Sequence, residues 1–187
     1  GSEIAVDTET MGLKFCRDRL CLVQLADSKG TVYLIQIDKN QKNAPNLAEV
    51  MTNEKIVKIF HYARFDIRVL HEGLHFMTRN IYCTKIASKL SRTFGAKHGL
   101  ADLCKDLLNL ELDKQNQTSD WGLENLNESQ LKYAASDVLY LHQIKNKLDQ
   151  LLTREDKKEI ATKCFEFLKS RSELDLIGFE NLDIFAH

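Results

Sequence analysis

The stretch Ile4-Ala5-Val6-Asp7-Thr8-Glu9-Thr10 constrains this chain more than any other: it opens as an apolar strand and ends in two carboxylates. Side chains two apart on a strand project from the same face, so Asp7 and Glu9 point together. Burying carboxylates is costly unless cations or hydrogen-bond donors meet them. Either the pair lies in solvent at a strand end, or it is half of a site whose other half comes from elsewhere in the chain.

The other elements follow from periodicity. Leu20 to Leu25 and Val32 to Ile37 alternate or run apolar as strands, and Asp27-Ser28-Lys29-Gly30 is the turn of a hairpin between them. Strand one joins this hairpin in a three-stranded antiparallel unit. Pro45 suits the first turn of a short helix through Leu47, Val50 and Met51. Lys55 to Phe60 is a fourth strand, which delivers His61-Tyr62-Ala63-Arg64-Phe65-Asp66 at its end. Ile67, Leu70 and Leu74 then continue at helical spacing, placing Asp66 near a helix start, where a carboxylate is also favoured by the helix dipole alone.

Asn80 to Cys83 is a fifth strand. The helix after it sets Ile86, Leu90 and Phe94 on one face and the basic residues Lys85, Lys89 and Arg92 on another. Residues 64–97 hold seven Lys or Arg against two acids. This is either a solvated face or a patch that receives phosphates. Residues 98–109 form a further helix with Leu100, Leu103, Cys104, Leu107 and Leu108 inward. The polar stretch 114–121 ends in the sole tryptophan, Trp121, which either caps the core or lines a site. Asn127 is an N-cap with Gln130 three residues on. On the helix it opens, Tyr133 and Asp137 are four apart and share a face, with Leu131, Ala134, Val138 and Leu141 as the buried side. Residues 154–170 form a last amphipathic helix carrying Ile160, Cys164, Phe165 and Leu168. The tail beyond is apolar, with Leu174, Leu176, Ile177, Phe179, Leu182, Ile184 and Phe185, and must pack on its own body or a second subunit.

This order of elements describes an α/β fold of ribonuclease H-like type, with a mixed five-stranded sheet flanked by helices. Sites in such sheets lie at the carboxyl ends of strands, where Asp7, Glu9, Asp66 and Asp137 converge. Four carboxylates together repel unless cations lie between them, and two Mg²⁺ or Mn²⁺ ions would balance their charge. Two such ions can hold the attacking and leaving oxygens of a phosphoryl displacement. Tyr133 is placed to orient the attacking water.

Composition limits the partners. The net charge of −1 does not suit a protein that wraps long nucleic acid by neutralising phosphates. The five cysteines (Cys16, Cys21, Cys83, Cys104 and Cys164) are odd in number and never spaced C-x-x-C, which argues against a zinc site or disulfide framework and suits a reducing cytoplasm. No apolar run is long enough to span a membrane. Residues 1–187 read as one domain, with 171–187 as an apolar C-terminal tail. Gly1-Ser2 reads as a cloning remnant ahead of the first strand.

Asp7-Thr8-Glu9, His61 to Asp66, and Tyr133 to Asp137 resemble the three motifs of the DEDDy class of 3′→5′ exonucleases, ribonuclease D-like enzymes with a DnaQ-like exonuclease fold. In the sister DEDDh class a His stands five before the last Asp. Here Lys132 holds that place and Tyr133 stands four before. The segments Arg17 to Cys21, Cys83 to Lys89 and Leu174 to His187 also resemble the small bacterial nanoRNase C enzymes. This resemblance implies hydrolysis of very short single-stranded RNA, notably dinucleotides, to 5′-mononucleotides, and a homo-oligomer, an octamer, with the tail as interface. It implies catalytic Asp7, Glu9, Asp66, Tyr133 and Asp137, and substrate contacts from Thr10, Met11, Gly12, Leu13, His61, Arg64 and Trp121, with the basic stripe or His98 near the 5′ end. Leu13 and Met11 would wedge a base, or else fill core. Ribonuclease D-like trimming of longer RNA or of DNA, and non-catalytic RNA binding on the same fold, are the competing readings.

Overall fold

The middle of the sheet belongs to β1 (Glu3–Thr10), the strand that turns acidic. The structure, a computed structural model, describes residues 2–14, 17–93, 97–113 and 118–186. β1 pairs antiparallel with β2 (Leu20–Asp27), which pairs antiparallel with β3 (Val32–Gln36). On its other side β1 runs parallel to β4 (Val57–Phe60), and β4 parallel to β5 (Ile81–Cys83). The order is therefore β3-β2-β1-β4-β5, a mixed five-stranded sheet with the expected antiparallel hairpin at one side. Asp27 fixes that hairpin: its Oδ1 accepts the backbone N–H groups of Lys29 and Thr31, each at 2.9 Å.

Helices cover the sheet. α1 (Pro45–Thr52) starts on proline and buries Leu47 and Met51. α2 (Ala63–Leu74) follows β4 and packs on the sheet and on α7 (Lys158–Leu174). α3 (Thr84–Ser91) follows β5 directly. α4 (Leu100–Leu103) widens into a π-helical turn over Cys104–Leu108, where a continuous helix through 109 is expected from the leucine spacing. α5 (Glu128–Leu139) opens on the full capping box: Asn127 Oδ1 accepts Gln130 N–H at 2.9 Å, and Gln130 Oε1 accepts Asn127 N–H at 3.0 Å.

Three expectations are corrected. The helix opened at Asn127 stops at Leu139, and Leu141 begins a separate helix, α6 (Leu141–Arg154). Leu131 is 39% exposed, because Gln130 takes the inward position through its cap and a 3.0 Å bond from its Nε2 to Asp120 O. That rotation sends Gln130, Ala134 and Val138 into the core at i, i+4 and i+8. The last helix lies four residues later than expected, and Ala161, Phe165, Leu168 and Ser172 face inward, which leaves Ile160 49% exposed. Phe94, Cys16 and residues 114–117 fall outside the described residues.

α6 supplies a large part of the core: Leu141, Ile144, Leu148 and Leu152 are all essentially inaccessible. Among the described residues, no helix is long and apolar enough to cross a membrane. Leu148→Ala, which empties a buried position under α6, should cost about 2–5 kcal/mol of unfolding free energy, read by urea denaturation; a loss below about 0.5 kcal/mol would show that the site collapses around the truncation.

Candidate active site

At the end of β1 the strand serves two helices. Asp7 and Glu9 face α5, and carboxylate oxygens of Asp7, Glu9 and Asp137 all lie within 4.8 Å of one another. Thr8 points to the opposite face, where its hydroxyl donates a 2.6 Å hydrogen bond to Asp66 Oδ1 in the first turn of α2. Asp66 stands outside that set of three, yet its charge raises the pKa of both Asp7 and Glu9.

The backbone aims these groups. Between Glu9 and Thr10 the register slips: Glu9 sits opposite Leu22 but Thr10 opposite Leu20, a bulge that bends the strand end. Beyond it, a Cβ on Gly12 would lie 2.4 Å from Asp18 Oδ2, so this loop position accepts no side chain without moving Asp18. The loop presents Leu13 80% exposed and Met11 50% exposed; neither fills core. On the α2 side, Tyr62 adopts left-handed φ of 69° before the helix starts, a strain of roughly 1–3 kcal/mol that such sites tend to concentrate.

Electrostatics follow from this crowding. Burial first, then repulsion from Asp66, Asp137 and Glu9, pushes Asp7 well above the ordinary carboxylate range. Burial, then Asp137 and Asp66, pushes Glu9 up to about 9. Burial raises Asp66 and Asp137 each to about 7, against hydrogen bonds from Thr8 and Tyr133 that pull them down. Gln24, wholly buried and directly opposite Asp7 in the register, reaches Asp7 Oδ2 with its Nε2 at 3.4 Å. An all-oxygen donor set under mutual repulsion fits hard divalent cations, whose charge would relieve it.

The carboxylates open into a cleft of about 390 Å³ that is also lined by Thr10, Leu13, His61, Tyr62, Lys85 and Tyr133. The Tyr133 hydroxyl is hydrogen-bonded to Asp137, and burial followed by the neighbouring carboxylates raises its pKa. His61 Nδ1 lies 2.9 Å from Thr84 Oγ1, which itself donates to Phe60 O at 3.1 Å. Thr84 therefore accepts, and His61 carries its proton on Nδ1. Burial, then Lys85, lowers the His61 pKa to about 4.

Of the expected substrate contacts, Thr10, Leu13 and His61 line the cleft, whereas Met11, Gly12, Arg64 and Trp121 are absent from its lining. Arg64 turns away from the cleft and pairs with Asp175. Trp121 is 2% exposed and packs its ring 6.0 Å from that of Tyr133, so it supports the tyrosine from below and offers no face to a base. The basic stripe also divides: Lys85 lies 4.2 Å over the Tyr62 ring at the cleft, whereas Arg92 pairs with Asp106. His98 bonds Ser88 and lies outside the cleft lining. Sequence reasoning missed Gln24, Thr8 and the Tyr62–Lys85 pair. Gln24 had a visible signal, a lone amide inside an otherwise apolar strand.

A family described as 3′-5′ exonuclease matches residues 1–153. Brucella melitensis NrnC bound to pGG superposes with a TM-score of 0.96 at 50% identity, over 100% of this chain and 90% of that one. The same protein with bound Mg²⁺ gives 0.95 at 49% identity, with the same coverage. Ribonuclease D of Bartonella henselae is 32% identical over 141 residues, 75% of this chain and 34% of that protein. The chain thus spans about a third of that curated relative, and 26% of the DNA polymerase I of Aquifex aeolicus, to which it is 35% identical over 89% of its own length.

Because Glu9 binds its proton more tightly folded than unfolded, metal-free protein should lose stability as pH rises from about 4.5 towards 9. Asp137→Asn should raise the melting temperature of metal-free protein at pH 8, by about 2–4 °C per kcal/mol of repulsion relieved. Thermal melts in EDTA check both; a variant that melts lower than the parent would show that repulsion is not the dominant force at this site.

Proposed function

Since this chain belongs to the 3′-5′ exonuclease family and is NrnC-like and ribonuclease D-like, we propose that it is a DEDDy-class exoribonuclease that hydrolyses very short single-stranded RNA, dinucleotides included, to 5′-mononucleotides. The observation that carries this reading is the convergence of Asp7, Glu9 and Asp137, with Asp66 adjoining, beneath the Tyr133 hydroxyl. The pGG held by Brucella NrnC supports a short substrate. So does a net charge of −1, because few phosphates need neutralising.

Asp7, Glu9, Asp66 and Asp137 would hold two divalent cations, Mg²⁺ or Mn²⁺, whose charge acidifies water and stabilises a leaving oxyanion. Tyr133 stays protonated at neutral pH, so its hydroxyl positions water by hydrogen bonding and does not act as a base. His61, neutral with its proton on Nδ1, keeps Nε2 as an acceptor for a ribose hydroxyl. Thr10 and Leu13 line the cleft, so Thr10 would meet the substrate and the exposed Leu13 would give a base an apolar surface, with Gly12 and the exposed Met11 next to them in the loop. The exposed tail residues Ile177, Leu182 and Phe185 suit a homo-oligomeric interface, an octamer by analogy. The four free cysteines among the described residues suit a cytoplasmic location.

Asp7→Ala and Asp137→Asn should abolish turnover while the protein stays folded. Tyr133→Phe keeps the ring on Trp121 and should lower kcat about 10²-fold with KM little changed. Time courses on RNAs of about two, seven and twenty nucleotides with Mg²⁺, Mn²⁺ or EDTA test the reading. Fastest loss of the dinucleotide, stopped by EDTA, is the expected result. Stepwise trimming of the longest RNA with the dinucleotide left over would assign a ribonuclease D-like activity instead. Light scattering at micromolar concentration should show an oligomer; a monomer would remove the interface role of the tail.

A further inference from the structure

We propose that the strap formed by residues 175–186, fastened to α2 through Arg64 and Arg68, determines substrate length by lining the cavity that adjoins the catalytic cleft with carboxylates and engaging its arginines. This rests on the exoribonuclease reading of the cleft and deepens it.

The ridge of Leu13, Tyr62 and Phe65 borders both the cleft and a second, larger cavity of about 740 Å³. A chain too long for the cleft would cross that ridge. The second cavity has Lys14, Arg64 and Arg68 in its walls, a lining suited to phosphates. Its far wall, however, is Asp175, Glu180 and Asn181. Asp175 takes the Arg64 guanidinium in a fork, Nε to Oδ2 at 2.7 Å and Nη2 to Oδ1 at 2.8 Å. Arg171 holds the same carboxylate from α7, with Nη2 to Oδ1 at 2.5 Å. Arg64 also donates to Glu180 O at 2.7 Å, and the Glu180 carboxylate takes Arg68.

The strap therefore blocks in two ways. It forms one wall of the cavity with carboxylates that repel a phosphodiester chain, and it pairs Arg64 outright and gives Arg68 a second carboxylate beside Glu72, which holds it at 3.0 Å. Asp175 is only 3% exposed, so its charge is viable there because two guanidiniums meet it. Gly178, at φ 99°, breaks the helical course inside the strap, and Glu180 follows two residues on at Arg68. A side chain at 178 would have space but not that backbone conformation. The arrangement also explains why Arg64, two residues ahead of Asp66, is absent from the cleft.

The test compares wild type, Glu180→Gln, Asp175→Asn and the double variant on a diribonucleotide and a heptaribonucleotide, with light scattering on each. The expected result is a rise of at least about tenfold in heptamer kcat/KM relative to dimer in the double variant, and about threefold in Glu180→Gln. The gain should lie in a lower heptamer KM, with kcat on the dimer within about twofold of wild type. An unchanged ratio in variants that keep the wild-type assembly overturns the proposal. So does a changed ratio found only where the assembly dissociates, which assigns length control to the subunit interface. If Asp175→Asn does not fold, Glu180→Gln, altered at an exposed carboxylate, decides alone. A wild type that does not prefer the dimer defeats the short-RNA reading, whereas the variant-to-wild-type change reports on the strap.

Discussion

Like charges forced together at the end of β1 set the terms for the rest of the molecule. A one-unit pKa shift corresponds to about 1.36 kcal/mol, and Glu9 is pushed from 4.5 to about 9. Domains of this kind are held by only about 5–15 kcal/mol in total, so without bound cations the cluster opposes the stability made elsewhere once pH rises above about 4.5. The compensation is visible around it. β1 is held on both sides by strands, and Gln24, Thr8 and Tyr133 direct protons at its carboxylates and their neighbours. The inaccessible leucines and isoleucine of α6 supply dispersion and apolar burial at a distance from the repulsion.

A second constraint is where the positive charge goes. The excess of Lys and Arg between residues 64 and 97 would suggest a broad phosphate-binding face. The fold divides it instead. Arg64 and Arg68 are matched to carboxylates of the C-terminal segment, Arg92 is matched to Asp106, and Lys85 lies over Tyr62 at the cleft. The positive field left at the cleft is local, which suits the short substrate proposed above and a nearly neutral chain. The same arginines tie the apolar tail to the catalytic body, so the proposals about assembly and substrate length meet at one set of ion pairs.

Helix phase was harder to read than helix existence. Leu131 and Ile160 are apolar and fit an inward stripe by spacing, yet both face solvent. In α5 the cap residue Gln130 fixes the rotation by bonding Asp120 O, and hydrophobic periodicity alone does not register such a polar anchor. The break between α5 and α6 at Tyr140 carries no Pro or Gly, so nothing local announces it. Trp121 illustrates the reverse case, where a polar sequence setting conceals a buried ring under Tyr133.

By itself the sequence determined which stretches form the five strands, the hairpin that β1 joins, the shared strand face of Asp7 and Glu9, and the shared helix face of Tyr133 and Asp137. These depend on short-range rules: alternation along strands, helical spacing, caps and turns. Only the tertiary structure decided which faces those groups occupy. It set Asp66 against the Thr8 hydroxyl, close enough for its charge to act on Asp7 and Glu9, grouped Asp7 and Glu9 with Asp137, bent the strand at a bulge, and drew Arg64 away to Asp175, 111 residues later. Such pairings depend on the distance and burial of partners remote in the chain, and no local pattern of residues encodes either.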